Sequence, residues 1–253
     1  MRCVGHKKKG HIFPSLIFFL IFSAILILLA LLGERLSSHF SHDASERVGA
    51  TERSDSVLVV IDAGHGGEDG GAIGVNGIYE KDINLDIALT LRDILSANGI
   101  DTVLTRSEDI LLYDKSSDYE GHKKEQDLNA RKEIASSYEN AIFVSIHMNS
   151  FPVEKYSGLQ VYYSVNHEGS HILSKKIQEL TKNTLMTENE RKVKEADSNI
   201  FLLHELSCPA VLVECGFLSN TAECERLSDP EYRTKLALCL STAICEYIDE
   251  VKK

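Results

Sequence analysis

Short apolar runs alternate with segments of helical periodicity along most of this chain. Runs rich in β-branched residues predict buried strands, because a strand covered on both faces of a sheet has few polar positions. The predicted strands are residues 57–61, 100–105, 141–146, 159–164 and 210–215. Helical spacing of apolar residues predicts helices over residues 82–98, 127–138, 170–186 and 230–251, with Asp82 as the cap of the first. This alternation predicts an α/β fold, a single domain with a mostly parallel sheet flanked by helices on both faces.

A different pattern precedes this domain. Residues 12–32 form an uncharged, mainly apolar run, long enough to cross a hydrocarbon core of roughly 30 Å as a transmembrane helix. Residues 1–11 contain four basic side chains and no acid, so the positive-inside rule places them in the cytoplasm and everything after the run outside. A cleaved signal peptide is the alternative, but its apolar core spans only about 7 to 15 residues. We therefore expect a single-pass protein of the cell membrane, in which a polar linker (residues 33–56) carries an extracytoplasmic domain (residues 57–253).

The charge of that domain excludes one class of partner. Residues 57–253 hold 20 Lys and Arg against 33 Asp and Glu, a formal charge of −13. A domain this acidic is poorly suited to binding a phosphate backbone, so no nucleic-acid partner is expected. The five cysteines of the domain are an odd number without a CxxC pattern, which predicts buried thiols and not a cysteine metal site.

Three of the predicted strands run into residues that can carry chemistry. Residues 57–61 lead into a glycine-rich loop that contains His65, residues 141–146 lead into His147, and residues 210–213 lead into Glu214. In parallel α/β sheets the ligand crevice lies beyond the carboxyl ends of the strands. We therefore expect these three side chains to converge.

Two imidazoles, one carboxylate and an open position make a catalytic zinc site. A Zn²⁺ ion in such a site lowers the pKa of water to roughly 7 and polarises a carbonyl, while a separate carboxylate moves the protons. His65, His147 and Glu214 supply three of these four roles. Spacing alone leaves the third ligand open: Glu68 forms an HxxE pair with His65, whereas Glu80 opens the first helix and can point back towards the strand ends.

The chemistry-bearing residues lie within six segments that, in this order, resemble the zinc-dependent N-acetylmuramoyl-L-alanine amidases of bacterial cell walls. The segments are DAGHGGEDGGAIGVNGIYEKDINLDIA, Thr105-Arg106, LNARKEIAS, FVSIHMNS, SGLQVYY and PAVLVECGFLSN. A lone GHGG is a weak signal, but six motifs in register are specific. The resemblance spans about residues 57–248.

The resemblance implies a set of roles. The metal ligands for Zn²⁺ would be His65, Glu80 and His147, which favours Glu80 over Glu68, and Glu214 would be catalytic. The implied reaction is hydrolysis of the amide that joins the lactyl group of N-acetylmuramic acid to the L-alanine of the stem peptide in peptidoglycan. A single anchor, a short chain and no wall-binding repeats are similar to the branch that matures spore-cortex peptidoglycan, where stem peptides are removed before muramic-lactam is made.

Three further residues are candidate substrate contacts. Asn149 follows His147 closely and could orient the substrate or complete a loop. Arg106 and Arg131 could bind the substrate, or could form structural salt bridges, including one to Glu214.

Other functions stay open at this point. A zinc peptidase that uses Glu68 would cut within the stem peptide, and a catalytically silent wall-binding module would keep the fold without the activity. No ligand and no catalytic acid is missing, which speaks against the silent module. The sequence also allows an activating partner protein that loads the metal or favours an active form.

Overall fold

The computed structural model describes residues 57–114, 116 and 121–252. These residues lie within one compact unit, Asp55–Lys253. The predicted anchor and linker, residues 12–32 and 33–56, lie outside the described residues and stay predictions. Within the described part of the chain, no helix combines the length and the apolar character that a membrane span requires.

Six strands form one mixed sheet in the order β2-β1-β3-β6-β4-β5. The strands are β1 (Leu58–Ala63), β2 (Asp101–Leu104), β3 (Ala141–Asn149), β4 (Gln160–Tyr163), β5 (Lys194–Glu195) and β6 (Ala210–Phe217). All neighbouring pairs are parallel except β4 with β6, which is antiparallel. The predicted single α/β domain with a mostly parallel sheet is confirmed.

Helices cover both faces of the sheet. They are α1 (Glu80–Ala97), α2 (Lys123–Ser136), α3 (Glu168–Thr184), α4 (Phe201–Glu205), α5 (Thr221–Ser228) and α6 (Pro230–Val251). On one face, α1, α3 and α6 pack on the larger core, to which β1 contributes Val59 and Ile61. On the other face, α2 and α4 pack on a smaller core that includes Val60 and Phe143.

Alternation along the strands decides which face carries the polar residues. Residues two apart on a strand point to the same side. Phe143 of β3 lies in the smaller core, so Ser145 and His147 share its face, and Leu212 of β6 likewise shares its face with Glu214. His147 and Glu214 therefore lie on the face covered by α2 and α4, towards the carboxyl ends of their strands.

The structure corrects some boundaries. Helix α1 begins at Glu80, with Tyr79 as its N-cap, so the prediction that Asp82 caps it was wrong. Strand β5 and helices α4 and α5 were not predicted, because two to eight residues are too few to display a period. The five cysteines of the described residues are free, two of them buried and three half-buried.

Candidate metal centre

Two histidines and one glutamate converge at the carboxyl ends of β1 and β3. Nε2 of His65 lies 3.3 Å from Oε1 of Glu80, and Nδ1 of His147 lies 2.9 Å from the same oxygen. One ligand atom from each residue lies within 4.8 Å of the others, as in a site that can hold a metal ion. Glu68 is directed elsewhere, because its carboxylate forms a 2.6 Å ion pair with Lys123.

His65 is held in an unusual backbone conformation. Its φ of 61° is in the left-handed region that non-glycine residues seldom occupy, a strain that surrounding contacts must maintain. Nη2 of Arg131 donates a 2.8 Å hydrogen bond to the carbonyl of His65. Nδ1 of the imidazole lies 2.9 Å from Oδ2 of Asp69, which leaves Nε2 directed at Glu80. Asp69 was missed by the sequence analysis, although its position four residues after His65 could have suggested it.

Glu80 is an ionised carboxylate in a buried position. Oε2 accepts a 2.8 Å hydrogen bond from the amide of Ala72, and Oε1 accepts one of 2.9 Å from the amide of Met148. Burial alone would raise the pKa of Glu80, but hydrogen bonds and charge from His147 and His65 outweigh it and hold the pKa well below its usual range.

The same contacts act in the opposite direction on His65. Burial would lower its pKa, but Glu80 and Asp69 raise the pKa to about 8. The negative charges of Glu80 and Asp69 therefore favour the cationic form of His65, and the same charges favour a metal cation at this position.

Two loop glycines make room for the candidate metal ligands. The imidazole of His147 packs on Gly64, where an added Cβ would lie 2.2 Å from Nε2. An added Cβ at Gly71, which has a φ of 66°, would lie 2.6 Å from Oε2 of Glu80. Larger side chains at either position would displace a candidate ligand.

Glu214 lies directly beside this centre. It is the Cα partner of His147 across the parallel pair of β3 and β6. Its Oε2 atom is buried and has no hydrogen-bond partner among the described residues. Burial raises the pKa of Glu214 to about 7, with His147 opposing the rise. Such a carboxylate is costly for folding, and its pKa suits proton transfer at neutral pH.

Arg131 belongs to a buried charge network below the centre. Its Nη1 lies 2.7 Å from Oδ1 of Asp62, and its Nε lies 2.8 Å from Oδ2 of Asp127. Asp62 also accepts hydrogen bonds from Thr105 and Ser145. Burial opposes ionisation of Asp62, but Arg131 and these hydroxyl groups hold its pKa below the usual value.

The other two candidate substrate contacts also bond within the fold. Arg106 donates to the carbonyls of Ala63, Gly64, Lys81 and Glu108. The carbonyl of Asn149 accepts a 2.8 Å hydrogen bond from the amide of Leu218. Neither arginine pairs with Glu214 in the structure. Substrate binding by Asn149, Arg106 and Arg131 stays a prediction.

Comparison with known proteins finds N-acetylmuramoyl-L-alanine amidases among the relatives of this chain. The family profile of N-acetylmuramoyl-L-alanine amidases matches residues 59–246. A germination-specific N-acetylmuramoyl-L-alanine amidase of Bacillus subtilis is 33% identical over 193 residues, which cover 76% of this chain and 80% of the relative.

Solved structures agree with this result. The CwlD amidase of Clostridioides difficile, solved in complex with the GerS lipoprotein, is 41% identical with a TM-score of 0.72, covering 77% of this chain and 99% of that one. The N-acetylmuramoyl-L-alanine amidase AmiC2 of Nostoc punctiforme is 31% identical with a TM-score of 0.65, covering 76% and 97%.

Proposed function

The chain belongs to the N-acetylmuramoyl-L-alanine amidase family and is an enzyme of that class, and on this basis we propose its mechanism and its substrate. It hydrolyses the amide between the lactyl group of N-acetylmuramic acid and L-alanine in peptidoglycan, with Zn²⁺ held by His65, Glu80 and His147. The observation that carries the proposal is the convergence of these side chains beside Glu214, whose Oε2 atom is buried and has no hydrogen-bond partner among the described residues.

The donor set fits zinc. Two imidazole nitrogens and one carboxylate oxygen are the ligands of many catalytic zinc sites, and three protein ligands leave one position for water or substrate. Asp69 at Nδ1 of His65 is the kind of outer carboxylate that fixes the orientation of a ligating histidine. When bound, Zn²⁺ supplies Lewis acidity, which polarises the scissile carbonyl and lowers the pKa of the attacking water.

Glu214 moves the protons. Its free Oε2 accepts a proton from the attacking water and then delivers that proton to the leaving amide nitrogen. The neighbouring positions of Glu214 and His147 put this carboxylate next to the metal ligands without a hydrogen bond that would have to be broken first.

The proposed physiological substrate is spore-cortex peptidoglycan, where removal of stem peptides precedes muramic-lactam formation. Similarity to the germination-specific amidase of Bacillus subtilis supports this choice over a vegetative wall. The proposed location is the cell membrane, with residues 12–32 as a single-pass anchor and the catalytic domain outside. An activating partner protein is also proposed, since the similar CwlD amidase was solved in complex with a lipoprotein.

Mass spectrometry of digestion products tests the proposal. Full-length protein in detergent, supplied with Zn²⁺, is incubated with purified cortex and vegetative peptidoglycan. We expect stem peptides that begin with L-alanine, more from cortex than from vegetative wall, and none from a Glu214→Gln variant. Cleavage within the peptide would instead identify a peptidase. Absence of cleavage, even after addition of a membrane extract from sporulating cells, would identify a silent module.

A further inference from the structure

A polar row continues across the sheet from Glu214. Gln160 of β4 is the Cα partner of Glu214 and is only 2% exposed. Directly opposite residues on neighbouring strands carry their side chains on one face, so Gln160 shares the face of His147 and Glu214. Oε1 of Gln160 accepts a 2.8 Å hydrogen bond from Nη1 of Arg191. Burial raises the pKa of Tyr162. The charge of Glu214 raises this pKa further and the charge of Arg191 lowers it, so both charged groups act on the same phenol.

Further contacts fix the position of Arg191. Its Nε donates a 2.8 Å hydrogen bond to the carbonyl of Ser157, and its guanidinium group lies over the ring of Phe217, 4.5 Å from the centroid. The amide of Arg191 donates a 3.0 Å hydrogen bond to Oδ1 of Asn189, which is itself 5% exposed. Because Phe217 follows Glu214 closely on β6, these contacts hold the guanidinium group at the catalytic end of the sheet. The group is preorganised before any ligand arrives.

The charge of Arg191 is not balanced within the fold. Four of the six arginines in the described residues form ion pairs with Asp or Glu. Arg106 is 2% exposed and donates to backbone carbonyls. Arg191 is half-buried, and no carboxylate of the described residues lies within salt-bridge distance of it. In a domain with a formal charge of −13, an arginine without an acidic partner beside the active site indicates a site for an anion.

We propose that Arg191, oriented by Gln160, binds a carboxylate of the stem peptide when the substrate is in place. The inference rests on the proposed amidase function and adds a subsite to it. A guanidinium group presents a planar pair of donors that matches a carboxylate. The anion comes from the peptide side of the scissile amide, because the lactyl carboxyl on the glycan side is consumed in that amide.

Sheet geometry limits which carboxylate reaches this subsite. Gln160 lies two strands from His147, or roughly 10 Å across the sheet. An extended peptide covers that distance in about three residues. Arg191 therefore selects peptides that carry a free carboxylate within about three residues of the cut, and disfavours those in which that carboxylate is amidated.

Steady-state kinetics with two matched substrates tests the subsite. One is a muropeptide with free carboxylates, and the other is the same muropeptide with those groups amidated. Full-length enzyme, an Arg191→Gln variant and an Arg191→Lys variant are compared, with Lys192→Gln as the control that removes an exposed neighbouring cation. We expect Arg191→Gln to raise KM for the acidic substrate about tenfold or more, since hydrogen bonds to charged groups are strong. The kcat value and the KM for the amidated substrate should change little, and Arg191→Lys should recover part of the loss.

A binding experiment separates this inference from the amidase proposal. In a Glu214→Gln background, calorimetry measures the affinity for each muropeptide with and without Arg191→Gln, so no turnover is needed. A loss of affinity confined to the acidic muropeptide supports the subsite even if the wild type cleaves neither substrate. Equal losses for both muropeptides, or no loss for the acidic one, overturn it.

Discussion

His147 and Glu214 are Cα partners on neighbouring parallel strands, with both side chains on the face of the sheet covered by α2 and α4. Side chains alternate along a strand, so a shift of one residue in either strand would carry one of the two to the opposite face. The register of β3 with β6 therefore brings a metal-ligand candidate and a half-buried glutamate, whose Oε2 atom is buried and unpaired among the described residues, to the same end of the sheet.

Exchange of Glu214 for glutamine separates catalysis from stability. We expect kcat to fall by about 10²- to 10⁴-fold, the range for loss of a general acid–base, while zinc content stays unchanged. In the metal-free protein the folded pKa of about 7 lies above the unfolded value of 4.5, so ionisation of Glu214 destabilises the fold as pH rises through 7. The variant should therefore be more stable at pH 8, by on the order of 3 kcal/mol. Thermal unfolding at pH 5 and pH 8 measures this difference, and equal stability changes at both would contradict it.

Glu80→Gln and Glu68→Gln form a matched pair for the identity of the third ligand. Glu80→Gln should weaken zinc binding by more than about 100-fold. Loss of a metal ligand reduces the affinity more than loss of a residue that only hydrogen-bonds to a ligand. Glu68→Gln should leave zinc binding unchanged, since Glu68 pairs with Lys123 outside the centre. Zinc content after dialysis against a weak chelator gives the answer. The peptidase alternative requires the reverse result.

Asp69→Asn tests the outer shell of the centre. Asp69 holds Nδ1 of His65, so its loss should reduce zinc affinity by about 10- to 100-fold and lower the pKa of His65 in the metal-free protein. Competition with a chromophoric chelator measures the affinity, and NMR titration of the imidazole measures the pKa. The neighbouring Glu68→Gln variant is the control. An unchanged pKa would show that Asp69 does not orient this ring.

Zinc affinity should depend on pH through His65. Because the pKa of His65 is about 8 in the metal-free protein, zinc must displace a proton from this imidazole below pH 8. The zinc affinity should therefore fall about tenfold for each unit by which the pH is lowered from 8 to 6.5. The ion pairs of protonated His65 also stabilise the metal-free fold. That contribution is complete below the unfolded pKa of 6.5 and is lost as pH rises through 8. Chelator competition at several pH values checks the slope, and a flat profile would argue against a protonated His65.

Replacement of Arg131 by methionine should destabilise the fold strongly. Asp62 is 1% exposed, and removal of its cationic partner leaves a buried charge uncompensated, which typically costs about 3 to 5 kcal/mol. The carbonyl of His65 also loses a donor, so zinc affinity should fall as well. Lys132→Met removes a half-buried neighbouring cation, whose partner Glu205 is exposed, and serves as the control. Urea unfolding measures the stability, and similar midpoints for both variants would refute the prediction.

The polar residues that end the strands were predictable because they follow strong local patterns. Each of β1, β3 and β6 begins with a continuous apolar run, so the polar residues that follow each run could be located before the structure was known. Their convergence followed from the general geometry of parallel sheets. The N-cap of α1 was placed three residues late, because Asp82 is a favourable cap by type, whereas Tyr79 takes that position in the structure.

Sequence by itself determined the α/β class, the strand ends that carry His65, His147 and Glu214, and the two competing glutamates, because each depends on residues close together in the chain. Tertiary structure decided what joins distant segments. It placed Glu80 and not Glu68 against the histidines, set Arg131 below His65, and continued the row from Glu214 to Gln160 and Arg191. Sheet order explains why the sequence did not place Gln160 and Arg191 beside Glu214. Strand β4 pairs with β6 across about fifty residues of chain, and no local period encodes that neighbour.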